Sequence, residues 1–131
     1  MSAKKLTPIF LISLPRSGST VLQRILSTST SISTTSEPWI ALPLAYMRKP
    51  NGLASEYWHV TCKVALDDLV SQFPNKEDDF DELCRKFILG AYEKLSSPES
   101  RYFLDKTPRY YLVADFLEQV FPNAIFIFLF R

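Results

Sequence analysis

The feature that most restricts this chain lies near its start. Residues Pro8 to Leu14 form an apolar run that stops at Pro15, and the polar stretch Arg16-Ser17-Gly18-Ser19-Thr20 follows at once. Helical spacing then begins, with Val21, Leu22, Ile25 and Leu26 on one stripe. A short apolar run without polar alternation suits a strand buried on both faces, which is the habit of parallel sheets. Strand, tight polar turn and helix make the first half of a βαβ unit.

The remaining segments extend that pattern. Residues 27–37 are dense in Ser and Thr, yet they lead into Pro38-Trp39-Ile40, so an ordered connection with a short strand near Ile32–Thr35 is expected in place of a flexible linker. Residues 38–58 carry Pro38, Pro43, Pro50 and Asn51-Gly52 and read as irregular structure with turns. They also carry Trp39, Leu44, Tyr46, Met47, Tyr57 and Trp58, apolar groups able to line a substrate cleft. Ala65, Leu66, Leu69, Val70 and Phe73 predict one helix. Phe80, Leu83, Cys84, Phe87, Ile88, Ala91, Tyr92 and Leu95 predict a longer one, with Asp79 and Glu82 as a capping-box-like start. Tyr102-Phe103-Leu104 is a short strand ending in Asp105-Lys106-Thr107. Thr107 as N-cap and Pro108 at the first position predict a helix whose buried face is Val113, Phe116, Leu117 and Val120. Pro122-Asn123 end it, and Ala124 to Phe130 predict a central parallel strand. The order gives an α/β three-layer sandwich around a parallel sheet, a single domain over residues 1–131. A finished domain of this kind covers its last buried strand, so truncation after the strand ending at Arg131 is expected.

Bulk properties exclude several functions. The 131 residues suffice for one core, and 47% apolar with 22% charged residues is an ordinary globular balance. A net charge of +1 points to neither nucleic acid nor an anionic membrane, so any anion must be held by local geometry. Cys62 and Cys84 are far apart and lack a Cys-x-x-Cys pattern; they read as buried thiols in a reducing, cytoplasmic setting. His59 is the single histidine and has no companion ligands nearby, so no metal site is expected. The apolar run 9–12 behind Lys4-Lys5 is too short for a secretion signal, and no run reaches the length of a membrane span.

In open α/β sheets ligands bind at the carboxyl ends of the strands. Here one strand ends in Pro15-Arg16-Ser17-Gly18-Ser19-Thr20, another in Asp105-Lys106-Thr107 and a third in Arg131. Two arginines, a lysine, hydroxyls and a helix N-terminus on one rim make a polyanion site. Gly18 would let a phosphate approach the backbone. A kinase or nucleotide hydrolase with a degenerate loop is the alternative. Its motif requires a second glycine and a following lysine that this loop lacks, although Asp105 could serve as a magnesium ligand.

Three segments resemble the sulfotransferases that use 3′-phosphoadenosine 5′-phosphosulfate, in their bacterial and Golgi-type branch. Leu14-Pro15-Arg16-Ser17-Gly18-Ser19-Thr20 resembles their 5′-phosphosulfate loop, Asp105-Lys106-Thr107-Pro108-Arg109-Tyr110 a second common segment, and Phe121 to Arg131 the strand leading to the 3′-phosphate motif. The resemblance implies a P-loop-NTPase-like fold. It implies that Arg16 meets the 5′-phosphate and the bridging oxygen, that Ser17, Gly18, Ser19 and Thr20 cradle the 5′-phosphate, and that Arg131 binds the 3′-phosphate. It makes Glu37 the base for the acceptor hydroxyl, its carboxyl raised in pKa by partial burial beside Pro38-Trp39, with His59 as rival. Lys106 and Arg16 would stabilise the leaving phosphate without a metal. The acceptor stays open among small molecules, carbohydrates, lipids and peptides. The family's serine partner for the 3′-phosphate is not among these residues, so the chain alone is expected to bind the donor weakly and not to catalyse.

Overall fold

The computed structural model describes residues 5–130. Its elements run β1 (Thr7–Ser13), α1 (Ser19–Leu26), β2 (Ile32–Thr34), α2 (Ala41–Tyr46), α3 (His59–Ser71), α4 (Lys76–Leu95), β3 (Tyr102–Lys106), a 3₁₀ turn (Tyr110–Val113), α5 (Ala114–Val120) and β4 (Ile125–Leu129). The strands form one sheet in the order β2-β3-β1-β4. All its pairings are parallel, with Ile9 opposite both Leu104 and Ile125, and Ser33 opposite Phe103. Every strand therefore delivers its carboxyl end to the same rim.

Alternation along β1 explains the layers. Phe10 and Ile12 enter a core shared with Cys84, Ile88 and Tyr92 of α4 and with Leu117 and Val120 of α5. Ile9 and Leu11 face the other way, with Leu104, onto Leu22 and Leu26 of α1. A parallel strand needs apolar groups on both faces, which is why β1 shows no polar alternation. Phe103 stacks on Tyr92 at 4.3 Å between ring centroids, joining β3 to α4. The sheet thus lies between helices on both faces, the expected α/β sandwich.

Several local expectations are corrected. Among the described residues β4 is an edge strand, not a central one, and Phe128 and Phe130 are 53% and 83% exposed. An apolar run reports capacity for burial, but strand order decides whether a neighbour covers it. The α1 stripe is rotated: Val21 and Ile25 face outward, while Leu22, Leu26 and the polar Gln23 face the sheet. α4 begins earlier than Asp79 suggests. Asn75 is its N-cap residue, and the Asn75 backbone and side-chain amides both donate to Asp79 at 2.9 and 3.1 Å, so Asp79 reaches back from within the first turn. Its inner face is Asp81, Cys84, Ile88 and Tyr92; Leu83, Phe87 and Leu95 are exposed. α3 starts at His59 and buries Val70, leaving Leu69 exposed. Residues 38–58 include the short helix α2 among their turns. Thr107 caps no helix, because its hydroxyl donates to Asp105 at 2.8 Å and α5 starts only at Ala114.

Both cysteines are free. Cys84 is buried, and desolvation raises its thiol to about 11, while Cys62 is half-buried. No described helix is long and apolar enough to cross a membrane.

Candidate functional site

The loop after β1 is shaped by two residues in left-handed conformation, Arg16 at φ 61° and Gly18 at φ 87°. The second is where glycine is required, and the reason is conformation: a Cβ there would meet nothing within 4 Å. Arg16 holds the same region of φ without that freedom, an unusual state for a side-chain-bearing residue. The Ser17 hydroxyl closes the turn by donating to the Leu14 carbonyl at 2.7 Å. Gly18 is the N-cap of α1, and no side chain caps the helix. The first-turn amides of such a helix have no intrahelical acceptor and face the rim, an arrangement suited to an anion.

Lys106, at the end of β3, is nearly buried and supplies the adjacent cation. Its Nζ lies 2.9 Å from Glu37 Oε1 and 3.4 Å from Thr20 Oγ1. Three residues expected at the site from sequence therefore meet at one ammonium group, though they are separated by up to 86 positions in the chain. The expected pKa of Glu37 is reversed. Its carboxylate is over a third exposed, and the hydrogen bond from Lys106 holds it below the usual carboxylate range, against a smaller opposing effect of burial. The indole Nε1 of Trp39 also donates to it, at 3.3 Å. Trp39 itself is 44% exposed, so it does not provide the burial the expectation required.

What fixes Glu37 is the stitching of residues 34–41. Gln23 of α1 donates through Nε2 to Thr34 Oγ1 at 2.9 Å and to the Thr35 carbonyl at 2.7 Å. Thr34 Oγ1 donates to the Leu104 carbonyl at 2.6 Å, joining the same segment to β3. Beyond Glu37, the Trp39 backbone N–H donates to Thr107 Oγ1 and the Ala41 N–H to the Tyr110 hydroxyl, both at 3.3 Å. Thr107 and Tyr110 are oriented in turn by Asp105, a fully buried carboxylate that accepts from both of them and from Tyr92. Desolvation holds Asp105 above the usual carboxylate range despite these three donors. Its oxygens turn inward to hydroxyls, so it does not stand as a magnesium ligand on the rim, and the one residue that favoured the kinase alternative has a structural task.

These groups border a cavity of about 610 Å³ lined by Thr20, Gln23, Arg24, Glu37, Trp39 and Lys106 among others. Arg16, Ser17, Gly18 and Ser19 stand in the adjoining loop and do not line it. Arg131 lies outside the described residues. His59 is buried elsewhere, its Nε2 on the Lys49 carbonyl at 2.7 Å, and does not border this cavity. Among the described residues no group of three or more His, Cys, Asp or Glu is placed to share a metal ion. Sequence reading missed Gln23 and the Asp105 cluster as supports. Gln23 had one usable signal, a polar residue beside Leu22 inside an apolar stripe.

Comparison with known proteins gives two findings. The model of the sulfotransferase family matches residues 8–131. Nodulation protein NoeE of Sinorhizobium fredii (strain NBRC 101917 / NGR234) is 31% identical over 123 residues, which is 93% of this chain and 28% of that protein. The chain thus spans between a quarter and a third of the length of the curated relative it matches.

Proposed function

The chain belongs to the sulfotransferase family, and from that premise we propose that the protein moves a sulfuryl group from 3′-phosphoadenosine 5′-phosphosulfate to an acceptor hydroxyl or amine. The observation that carries this reading is Lys106 bridging Glu37 and Thr20 beside the N-terminus of α1. One cation there touches both the candidate base and the candidate phosphate loop.

In this reading the 5′-phosphate rests on the backbone of Ser17, Gly18, Ser19 and Thr20, and Arg16 meets the bridging oxygen. Arg131 takes the 3′-phosphate. The acceptor oxygen attacks sulfur in line while its proton passes to Glu37. The sulfur–oxygen bond to the 5′-phosphate breaks, and its electron pair stays on that phosphate, where Arg16 and Lys106 stabilise the charge. The ion pair has a consequence for timing. With Lys106 on Glu37 the carboxylate is a weak base. An anionic donor competes for the same ammonium, and a carboxylate that loses its cation becomes more basic. Donor binding would thus strengthen the base when it is needed.

Calorimetric titration with adenosine 3′,5′-bisphosphate tests the donor site. Lys106→Ala and Arg16→Ala should each weaken binding by about tenfold or more, as loss of a charge-assisted hydrogen bond does. Equal binding in all variants, or a preference for ATP with magnesium, would refute the reading.

A further inference from the structure

We propose that a second, apolar groove beside the site holds the body of the acceptor, and that this body is apolar: an aromatic or alkyl alcohol, not a sugar. The inference rests on the sulfuryl-transfer reading for the identity of the reaction, but its geometry is independent of it. The groove has a volume of about 420 Å³ and runs between α2 and the 110–113 turn, lined by Trp39, Leu42, Pro43, Tyr46, Leu53 and Leu112. Gly52 and Arg109 complete it.

Its position commits it to the acceptor. Trp39 lines both this groove and the cavity of Glu37 and Lys106, so the two adjoin at one residue. Its indole donates to Glu37 Oε2. A molecule seated in the groove and reaching past Trp39 would bring its near end toward the carboxylate that takes the proton. Trp39 holds φ 58°, a strained value for a residue with a side chain, and its backbone N–H is fixed by Thr107. Strain maintained by a buried network beside a candidate base is the kind found where a side chain must be aimed.

The lining decides the chemistry. No carboxylate or amide side chain borders the groove. A sugar would bring more hydroxyls than the Arg109 guanidinium and the Tyr46 hydroxyl can partner, and against the remaining apolar lining each unpaired one is a cost. One part of the wall is set by close packing at Gly52. A Cβ there would come within 2.6 Å of the Tyr46 ring, so this ring lies directly against backbone. The Arg109 guanidinium, which donates to the Tyr111 hydroxyl at 3.0 Å, is the only charged group of the lining.

The test uses fluorescence. The protein has two tryptophans, and Trp58 is 76% exposed, so Trp58→Phe leaves Trp39 as sole reporter without disturbing packing. In that background 2-naphthol should quench Trp39 saturably, and N-acetylglucosamine should not change its emission. Leu112→Asp places a charge in the lining and should weaken naphthol binding by about tenfold or more. It should leave the affinity for adenosine 3′,5′-bisphosphate within about threefold, because Leu112 does not border the cavity of Lys106. Leu53→Asp, at a partly exposed position of the same lining, should weaken naphthol in the same way and stands in if Leu112→Asp fails to fold. Non-saturable quenching, unchanged naphthol affinity in a folded groove variant, or saturable sugar binding lost in those variants would overturn the proposal. Naphthol binding that depends on the groove in a protein that prefers ATP with magnesium to the bisphosphate would support the groove and sink the donor reading alone.

Discussion

On one face of the sheet Phe10 and Phe103 interlock with Ile88, Tyr92, Tyr110 and Leu117, all completely buried. On the other face Ile9, Leu11 and Leu104 meet a single helix of eight residues, through Leu22 and Leu26 that are themselves only partly covered. The thick face is a core in the ordinary sense. The thin face holds its helix in place with polar bonds as much as with apolar area: Gln23 on residues 34–36 and Thr20 on Lys106. The lesson is a division of labour. Side chains interdigitate on the thick face, and the candidate site groups sit where a few directed bonds can be exchanged without loss of the core.

The sharpest way to break this comparison is to strike each face in turn. On the thin face, Glu37→Gln in a full-length version should lower sulfuryl transfer by about 10²–10⁴-fold while bisphosphate affinity holds or rises, since the amide keeps the shape but accepts no proton and no longer competes for Lys106. A transfer assay beside a calorimetric titration checks it, and retained turnover would remove Glu37 from its role. On the thick face, Ile88→Ala should destabilise by about 2–5 kcal/mol in urea unfolding without altering bisphosphate binding by the folded protein. A much smaller loss would mean that α4 is loosely packed and the two faces are alike.

Smaller effects sharpen the picture. Gln23→Leu keeps the bulk but removes the amide that holds Thr34 and Thr35, and should cost about 1–2 kcal/mol. Amide exchange should quicken at residues 35–37 before it does in β1. Uniform acceleration would show that Gln23 supports the whole fold and not the segment of Glu37. The Glu37–Lys106 pair predicts a weak pH dependence. The folded carboxyl titrates below its unfolded value, so the pair's contribution is present above the unfolded carboxylate pKa and is lost as pH falls through the lower, folded one. Exposure of the carboxylate to solvent makes it slight. Wild type and Glu37→Gln should thus converge in stability at acid pH; a gap that widens there would contradict the pairing. Least of all, Val21→Ser and Ile25→Ser on the outer side of α1 should stay within about 0.5 kcal/mol in thermal unfolding.

Legibility from sequence differed between these regions for physical reasons. Buried parallel strands were plain, because β1 and β3 must be apolar on both faces. The shared rim of Thr20 and Lys106 followed from parallel pairing alone. The state of Glu37 did not. Burial was expected from the neighbouring Pro38-Trp39, but Trp39 is held outward by a left-handed backbone and Lys106 arrives from a distant strand. Asp105 was read as a possible metal ligand since its two tyrosine partners lie 13 residues before it and 5 after it, with nothing local to announce them.

By itself the sequence determined the alternation of strands and helices, the polar loop between β1 and α1, and the kinds of group able to meet an anion. These depend on contacts a few residues apart, or on a side chain's capacity to be buried. The tertiary structure alone decided that β4 stands at an edge, which side of α1 faces inward, that Lys106 reaches Glu37, and that Asp105 turns inward to hydroxyls. Each of these depends on which distant neighbour fills the space beside a residue, and apolar or charged character permits several such neighbours until packing selects one.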